Sequence, residues 1–180
     1  MKQVLIVYAT QTGNTKKLAD AINGAAKEHE VTIMPVDEAD PAKAGEYDVV
    51  FVGTPIHAGG LSAQAKEFLE GLPEGGDVTL AGFVTHSSSA FRPEGFRRGL
   101  ETFDEVSKTK KIDCLGVFDC QGKLAPELHD FVKQNLGVSD EEFARIMAET
   151  DPHPDDADLK AAAEFAVMIL NQVGRGRQPL

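Results

Sequence analysis

Short apolar segments alternate with helical patterns along the first two thirds of the chain. The segments at residues 4–8, 49–52, 80–85 and 114–118 lack the alternation of apolar and polar residues that marks a strand with one exposed face. Strands in a parallel sheet between two layers of helices have this pattern, because both of their faces are buried. Residues 31–34 form a weaker strand, and we place it at the edge of the sheet.

Apolar residues with the helical spacing i, i+3, i+4 and i+7 lie between these strands. They predict helices around residues 18–25 and 96–103, and a short helix that Ser62 caps. The last helix is the clearest, and it begins near Asp155 or Asp156. Alternating strands and helices imply right-handed crossovers, and therefore an α/β fold with a three-layer, doubly wound, five-stranded parallel sheet.

Residues 127–158 stand apart as an acidic, helical excursion between the last strand and the last helix. They contain ten acidic and two basic residues, a net charge of −8 in a chain whose net charge is −11. Two short helices are predicted here: one contains Phe131, and the other opens with a capping pattern at Ser139. We expect residues 1–173 to form a single domain that includes this insertion, followed by a frayed tail at residues 174–180.

Composition and charge exclude several classes of protein. Hydrophobic residues make up 42% of the chain and charged residues 26%, which is typical of a globular domain. No apolar run approaches the roughly 20 residues of a membrane span, and we expect no secretory signal. With 18 basic and 29 acidic residues, the chain suits neither nucleic acid nor anionic membranes, and a partner with a basic surface is expected. The alternative is that the charge only keeps the protein in solution.

The two cysteines, Cys114 and Cys120, lie on one predicted strand. The extended chain between them spans roughly 20 Å, whereas a disulfide requires Cα atoms within about 7 Å of each other. Two free thiols fit a reducing compartment, so we expect a cytoplasmic protein, and a monomer. Cys120 has no neighbouring His or Arg in the sequence to lower its pKa, which favours an inert thiol. His153 lies among aspartates whose spacing matches no calcium loop, which favours a solvated acidic loop over a cation site.

The most informative residues follow the first strand and open a helix. They are Thr10, Gln11, Thr12, Gly13, Asn14 and Thr15. Free backbone N–H groups and the helix dipole at such a position favour an anion. The threonine hydroxyls and the Asn14 amide can donate hydrogen bonds, and Gly13 allows a tight turn. Because this loop lacks Lys and Arg, we expect it to hold one monophosphate by neutral donors; a polar helix cap without a ligand is the alternative.

This loop resembles the FMN phosphate loop of the flavodoxin family, and two later segments are similar to the loops that cover the flavin faces in that family. The first segment comprises Thr54, Pro55, Ile56, His57, Ala58, Gly59 and Gly60, and the second includes His86, Ser87, Ser88, Ser89 and Phe91. The resemblance implies FMN as the cofactor, these residues as its binding site, and the strand order 2-1-3-4-5.

The chain departs from the family pattern at the aromatic residues. Flavodoxins commonly stack a Trp and a Tyr on the flavin, whereas this chain has no Trp, and His57 and Phe91 take the two places by register. The resemblance implies a carrier of single electrons between larger redox proteins. An FMN-dependent oxidoreductase acting on a quinone, porphyrin or nicotinamide substrate stays open, because small side chains over the flavin leave room for a substrate. A scaffold that binds another anion is the third reading.

Overall fold

A parallel sheet of five strands lies at the centre of the computed structural model, which describes residues 1–76, 78–87 and 94–173. In chain order the strands are β1 (Gln3–Tyr8), β2 (Glu30–Pro35), β3 (Val49–His57), β4 (Gly60–Leu61), β5 (Thr79–His86) and β6 (Asp113–Gln121). The parallel strands are arranged β2-β1-β3-β5-β6, and the two-residue β4 pairs antiparallel with the end of β3. The predicted α/β class and sheet order are confirmed, with β2 at an edge and β4 as an unpredicted addition.

Helices cover both faces of this sheet. In chain order the helices are α1 (Asn14–Ala25), α2 (Ala63–Gly71), α3 (Arg97–Lys110), α4 (His129–Leu136), α5 (Asp140–Thr150) and α6 (Asp156–Gln172). Helices α1 and α6 pack on one face of the sheet, and α2 and α3 on the other. Short 3₁₀ helices span Val36–Glu38, Pro41–Glu46 and Pro126–Leu128. In the described part of the chain, no helix combines the length and the apolar character that crossing a membrane requires.

Both faces of each central strand are buried, which explains why the strand segments do not alternate. On β1, Val4 and Ile6 pack into the core beneath α1 and α6, while Leu5 and Val7 pack into the core beneath α2 and α3. All four side chains are buried. A parallel sheet between two helical layers demands apolar residues at successive positions for this reason.

Capping residues fix where three helices begin. The Ser62 hydroxyl accepts a hydrogen bond from the Ala65 N–H at the start of α2. Asp155, not Asp156, caps α6: its carboxylate accepts from the Asp158 N–H at 3.0 Å, and the Asp158 carboxylate accepts from the Asp155 N–H at 2.9 Å. Ser139 caps α5 by accepting from the N–H of Glu142. These three caps match the sequence pattern because a side-chain oxygen beside free amides acts locally.

Helices α4 and α5 lie between β6 and α6, and main-chain hydrogen bonds anchor both ends of this segment to the sheet. The Gly122 N–H donates to the His86 carbonyl at 2.8 Å, which extends the pairing of β6 with β5. The Lys123 N–H then donates to the His153 carbonyl at 3.0 Å. The segment therefore leaves and rejoins the domain at one place on the carboxyl edge of the sheet. The predicted tail at residues 174–180 lies outside the described residues.

Candidate functional site

The predicted site residues lie at the carboxyl edge of the parallel sheet. Strands β1, β3 and β5 are neighbours, so the segments that follow them converge there. The Ala9 N–H donates to the Gly53 carbonyl at 2.9 Å, which joins the first segment to the second. The hydroxyls of Thr15 and Thr85 share a hydrogen bond of 2.9 Å, which joins the first segment to the third. Ligands of open α/β sheets bind at this edge, where the strand order reverses.

The loop after β1 turns at Gly13, whose φ of 87° lies in the left-handed region. Only glycine adopts this conformation without strain. The Gly13 N–H donates to the Thr10 hydroxyl at 3.0 Å, and its carbonyl accepts the first helical hydrogen bond of α1, from Lys17 at 3.1 Å. The N–H groups of the three residues between them have no partner within the helix. The loop thus presents a row of main-chain donors at the positive end of α1.

Two of the polar side chains predicted for this loop point inward. Thr15 is 1% exposed and bonds to Thr85, and Asn14 is 7% exposed and donates from Nδ2 to the Lys123 carbonyl at 2.9 Å. Thr12 and Gln11 are exposed and line cavities at the site. Asn14 and Thr15 therefore hold the loop in place. Contact of all six loop residues with a cofactor stays a prediction.

The loop after β3 forms a hairpin with β4. His57 pairs with Gly60, so Ala58 and Gly59 form a two-residue turn, with φ values of 49° and 84°. Positive φ at both central residues is what a type I′ turn requires. Within this segment Thr54 is buried and accepts a hydrogen bond from the Ser62 N–H at 3.0 Å, while His57 is exposed.

The segment after β5 begins with the buried His86. Its ring stacks on that of Phe96, with centroids 3.9 Å apart and an interplanar angle of 6°, and its Nε2 lies 3.4 Å from the Asp119 carboxylate. Phe96 precedes α3, so it supports the site segment from the N-terminus of that helix. Ser87 is half-buried and lines both cavities described next. The predicted residues Ser88, Ser89 and Phe91 lie outside the described residues.

Two cavities adjoin at the site. A small pocket of about 70 Å³ lies at the loop before α1, and its walls include Thr12, Asn14 and Thr85. A wider cleft of about 740 Å³ lies beside it, which is within the usual range of small-molecule sites. The walls that the two cavities share are formed by Gln11, Ile56, His57, Ser87, Leu124 and Leu128. One elongated ligand can therefore occupy both spaces, with a polar end at α1 and a broad end in the cleft.

The far wall of the wide cleft comes from α4 and the segment before it. This wall consists of Leu124, Leu128, Phe131, Val132, Asn135 and Leu136. None of these residues was predicted for the site, because the acidic composition of the segment indicated a surface exposed to solvent. The signal that could have found them is the helical spacing of the apolar residues 128, 131, 132 and 136, with the polar Asn135 beside them.

Gly122, directly after β6, is a further part of the site that was not predicted from the sequence. A Cβ atom at Gly122 would lie 2.7 Å from Nδ2 of Asn14, so only glycine leaves room for the Asn14 side chain to reach the Lys123 carbonyl. A glycine at the end of a buried strand is the signal for such a close approach.

Neither Cys120 nor His153 adds a reactive group to the site. Burial, reinforced by the carboxylates of Asp158 and Asp119, raises the pKa of the Cys120 thiol to about 12. His153 Nδ1 lies 2.5 Å from the Asp158 carboxylate, and ligand atoms of His153, Asp155 and Asp158 lie within 4.8 Å of one another. Both carboxylates already accept main-chain hydrogen bonds as caps of α6, which accounts for the cluster.

Relatives of the chain point to one family. A family model described as a flavodoxin domain matches residues 5–167. The flavodoxin-like domain-containing protein BilS of Clostridioides difficile (strain CD3) is 32% identical over 175 residues, which cover 92% of this chain and 95% of that protein. An NAD(P)H dehydrogenase (quinone) of Archaeoglobus fulgidus is 29% identical over 97 residues, or 39% of this chain and 51% of that protein.

Solved structures with the same fold include further flavodoxins. Oxidised flavodoxin 1 from Bacillus cereus superposes with a TM-score of 0.67 at 15% identity, covering 96% of this chain and 99% of that one. The Fusobacterium nucleatum flavodoxin bound to flavin mononucleotide gives a TM-score of 0.54 at 16% identity, covering 84% of this chain and 100% of that one. At these identities the likeness concerns the fold, while the family match extends along the sequence itself. The chain belongs to the flavodoxin family.

Proposed function

We propose that the chain binds FMN and carries single electrons between larger redox proteins with basic docking surfaces. The observation that supports this best is the junction of the small pocket at α1 with the wide, uncharged cleft through shared walls. FMN has the matching form, with a phosphate at one end of a flexible chain and a flat ring system at the other.

The phosphate end fits the loop before α1. The main-chain N–H groups of Asn14, Thr15 and Lys16 precede the first helical hydrogen bond, and the Thr12 hydroxyl lines the same pocket. The Lys16 ammonium is paired with Asp20 at 2.7 Å, so neutral donors would hold the phosphate. A site with room for one phosphate at a helix N-terminus favours FMN over FAD.

The ring end fits the cleft between the β3–β4 hairpin and α4. Among the described residues, no Asp, Glu, Lys or Arg side chain lines this cleft, although the chain has a net charge of −11. Its walls of Ile56, Leu124 and Leu128 would exclude water from a planar ring. When bound, FMN supplies the transfer of one or two electrons. The residues of the chain bind and orient the ring, and leave it open to a partner at the cleft mouth.

The acidic insertion supports a carrier role with basic partners. The insertion carries a net charge of −8, and one of its helices, α4, forms a wall of the cleft. A field of one sign steers an oppositely charged partner and increases its association rate. The free thiols Cys114 and Cys120 suit a reducing compartment, so a cytoplasmic location is part of the proposal. The proposed carrier is a monomer.

The second candidate is an FMN-dependent oxidoreductase that acts on a quinone, porphyrin or nicotinamide. The width of the cleft favours it, since His57 is exposed and, among the described residues, no bulkier ring lies on the same wall of the cleft. The partial likeness to an NAD(P)H dehydrogenase (quinone) is in keeping with this candidate.

Two measurements on the purified chain test the proposal. Mass spectrometry of the released cofactor should detect FMN; FAD, or no flavin after incubation with FMN, would reject the binding claim. Anaerobic reduction in small steps should then resolve two one-electron stages in the absorbance spectrum. Reduction in a single two-electron stage, with rapid turnover of NADH or NADPH and a quinone, would favour the oxidoreductase.

A further inference from the structure

Helix α4 carries an aromatic side chain that the fold leaves uncovered at the cleft. Phe131 is 65% exposed although it lines the cleft, and Leu128, one turn earlier, lines the cleft beside it. The other strongly exposed large apolar residues in the described part of the chain, Met1, Val167 and Met168, line neither cavity at the site. Water against an apolar ring is unfavourable, so a ligand in the cleft that covers Phe131 gains from its burial.

The cleft has few other rings to offer a planar ligand. Among the described residues that line it, His57 and Phe131 are the two with ring side chains, and they belong to different walls. The ring of Phe96 is stacked on His86 and does not line the cleft. Because the described cleft walls bear no ionised Asp, Glu, Lys or Arg, the occupant they favour is an uncharged flat surface.

The position of α4 is tied to the phosphate end of the same site. The Gln11 amide donates to the Glu127 carboxylate at 3.0 Å, and the Asn14 amide donates to the Lys123 carbonyl at 2.9 Å. Both bonds join the loop before α1 to the segment that leads into α4. A ligand anchored at the loop would therefore meet Phe131 at a defined place.

We infer that Phe131 is an aromatic contact of the FMN ring, supplied by the acidic insertion instead of by a loop at the end of a strand. The inference rests on the proposed function. Offset or edge contacts between aromatic rings contribute beyond the burial of apolar area, so the ring itself, and not only its size, should affect binding.

Three variants of the full chain separate the ring from its apolar area. Phe131→Tyr keeps a ring, Phe131→Leu keeps apolar volume without a ring, and Phe131→Ala removes both. Met168→Ala is the matched control, because Met168 is 45% exposed on α6 and lines neither cavity. Each apoprotein is titrated with FMN, and the fluorescence of the bound flavin is recorded, since a tyrosine in contact with the excited ring quenches it by electron transfer, whereas a phenylalanine does not.

We expect Phe131→Ala and Phe131→Leu to weaken FMN binding by at least about threefold, and Phe131→Tyr to dim the bound flavin. The FMN affinities of Phe131→Tyr and Met168→Ala should stay within about twofold of the parent, and the melting temperature of each apoprotein should change little, because Phe131 is exposed. If the parent binds FMN, the Leu variant matches it in affinity and the Tyr variant matches it in fluorescence, the inference is wrong and the proposed function stands. If the parent does not bind FMN, both fail.

Discussion

The side-chain amide of Asn14 donates a hydrogen bond of 2.9 Å to the main-chain carbonyl of Lys123. Asn14 is the first residue of α1, and Lys123 follows β6, which is separated from β1 by two strands of the sheet. The bond therefore spans the floor of the site and joins the phosphate loop to the start of the insertion. It is partly buried, whereas the neighbouring bond from Gln11 to Glu127 is exposed to solvent.

Replacing Asn14 should destabilise the fold even without a cofactor. Asn14→Ala leaves the Lys123 carbonyl without its partner, which costs about 1–3 kcal/mol. For a chain of this length, each kcal/mol lowers the melting temperature by about 2–4 °C. Thermal unfolding of the apoprotein measures the change, with Gln11→Ala as the control, since losing an exposed bond should change stability by less than about 0.5 kcal/mol. Equal melting temperatures for the two variants would contradict the structural role of Asn14.

The two threonines of the phosphate loop should have opposite effects. Thr12 is exposed in the pocket, so Thr12→Val should lower FMN affinity about tenfold and leave the apoprotein stable, because a hydrogen bond to a charged acceptor contributes about 1.5–3 kcal/mol. Thr15 bonds to Thr85 in the interior, so Thr15→Val should destabilise the apoprotein by about 1–3 kcal/mol. Flavin titration and thermal unfolding of both variants check this. The reverse pattern would mean that the roles of the two hydroxyls are exchanged.

The cap of α6 should make stability depend on pH. The hydrogen bonds from the Asp158 and Ala157 N–H groups lower the pKa of the Asp155 carboxyl in the folded state. A carboxyl with a lowered pKa stabilises the fold above its unfolded pKa, near 3.9, and loses that contribution as the pH falls through the folded value. Asp155→Ala should thus lower the melting temperature at pH 7 and differ less from the parent near pH 3.

Asp155→Asn is the control for this cap, because asparagine caps helices as well as aspartate does but does not titrate in this range. We expect the melting temperature of Asp155→Asn to stay close to that of the parent at pH 7. On acidification it should lack the part of the fall in melting temperature that comes from protonation of Asp155. If the melting temperatures of Asp155→Ala and the parent differ by the same amount at pH 7 and at pH 3, the charge of the cap does not contribute to stability.

The acidic insertion should steer a basic partner. Electron transfer from the reduced protein to a basic haem protein such as cytochrome c should slow as ionic strength rises, because salt screens exposed charges. Replacing Glu141, Glu142 and Glu149 by Gln should lower the rate at low salt and flatten this dependence. Replacing Glu67, Glu74 and Glu105 by Gln is the matched change of charge. These residues lie on α2, on the turn that follows it and on α3, outside the insertion. If the electron-transfer rates of the two triple variants depend equally on ionic strength, the insertion does not steer the partner.

The sheet could be predicted from the sequence because its signal is local. Each residue of the run from Val4 to Val7 is apolar, and a strand with both faces buried is the arrangement that requires this. The turn before α1 could be predicted for a similar reason, since Gly13 and the hydroxyl residues directly follow a buried strand. The caps at Ser62, Ser139 and Asp155 likewise depend on residues within one helical turn.

The direction of each polar side chain could not be predicted, because it depends on distant partners. Thr12 and Thr15 have the same chemistry three residues apart, and only the position of Thr85 on β5 turns the second one inward. The same holds for α4. Phe131 lies in a segment that its acidic residues mark as a solvated surface, and it becomes part of a cleft only because the segments after β1 and β3, more than 70 residues away, form the facing walls. Residues far apart in sequence decide these parts of the site.

The main-chain bond from Lys123 to His153 makes the segment between them a closed loop with adjacent ends. Such a loop can lengthen, shorten or be exchanged without moving a strand of the sheet, since both of its connections stay where they are. It contributes one wall of the cleft and −5 of the chain's net charge of −11, whereas the loop before α1 belongs to the sheet and α1. If the proposed function holds, exchanging this segment would replace the wall that contacts the flavin ring together with the acidic surface, so flavin affinity and partner choice would change together while the loop before α1 stays intact.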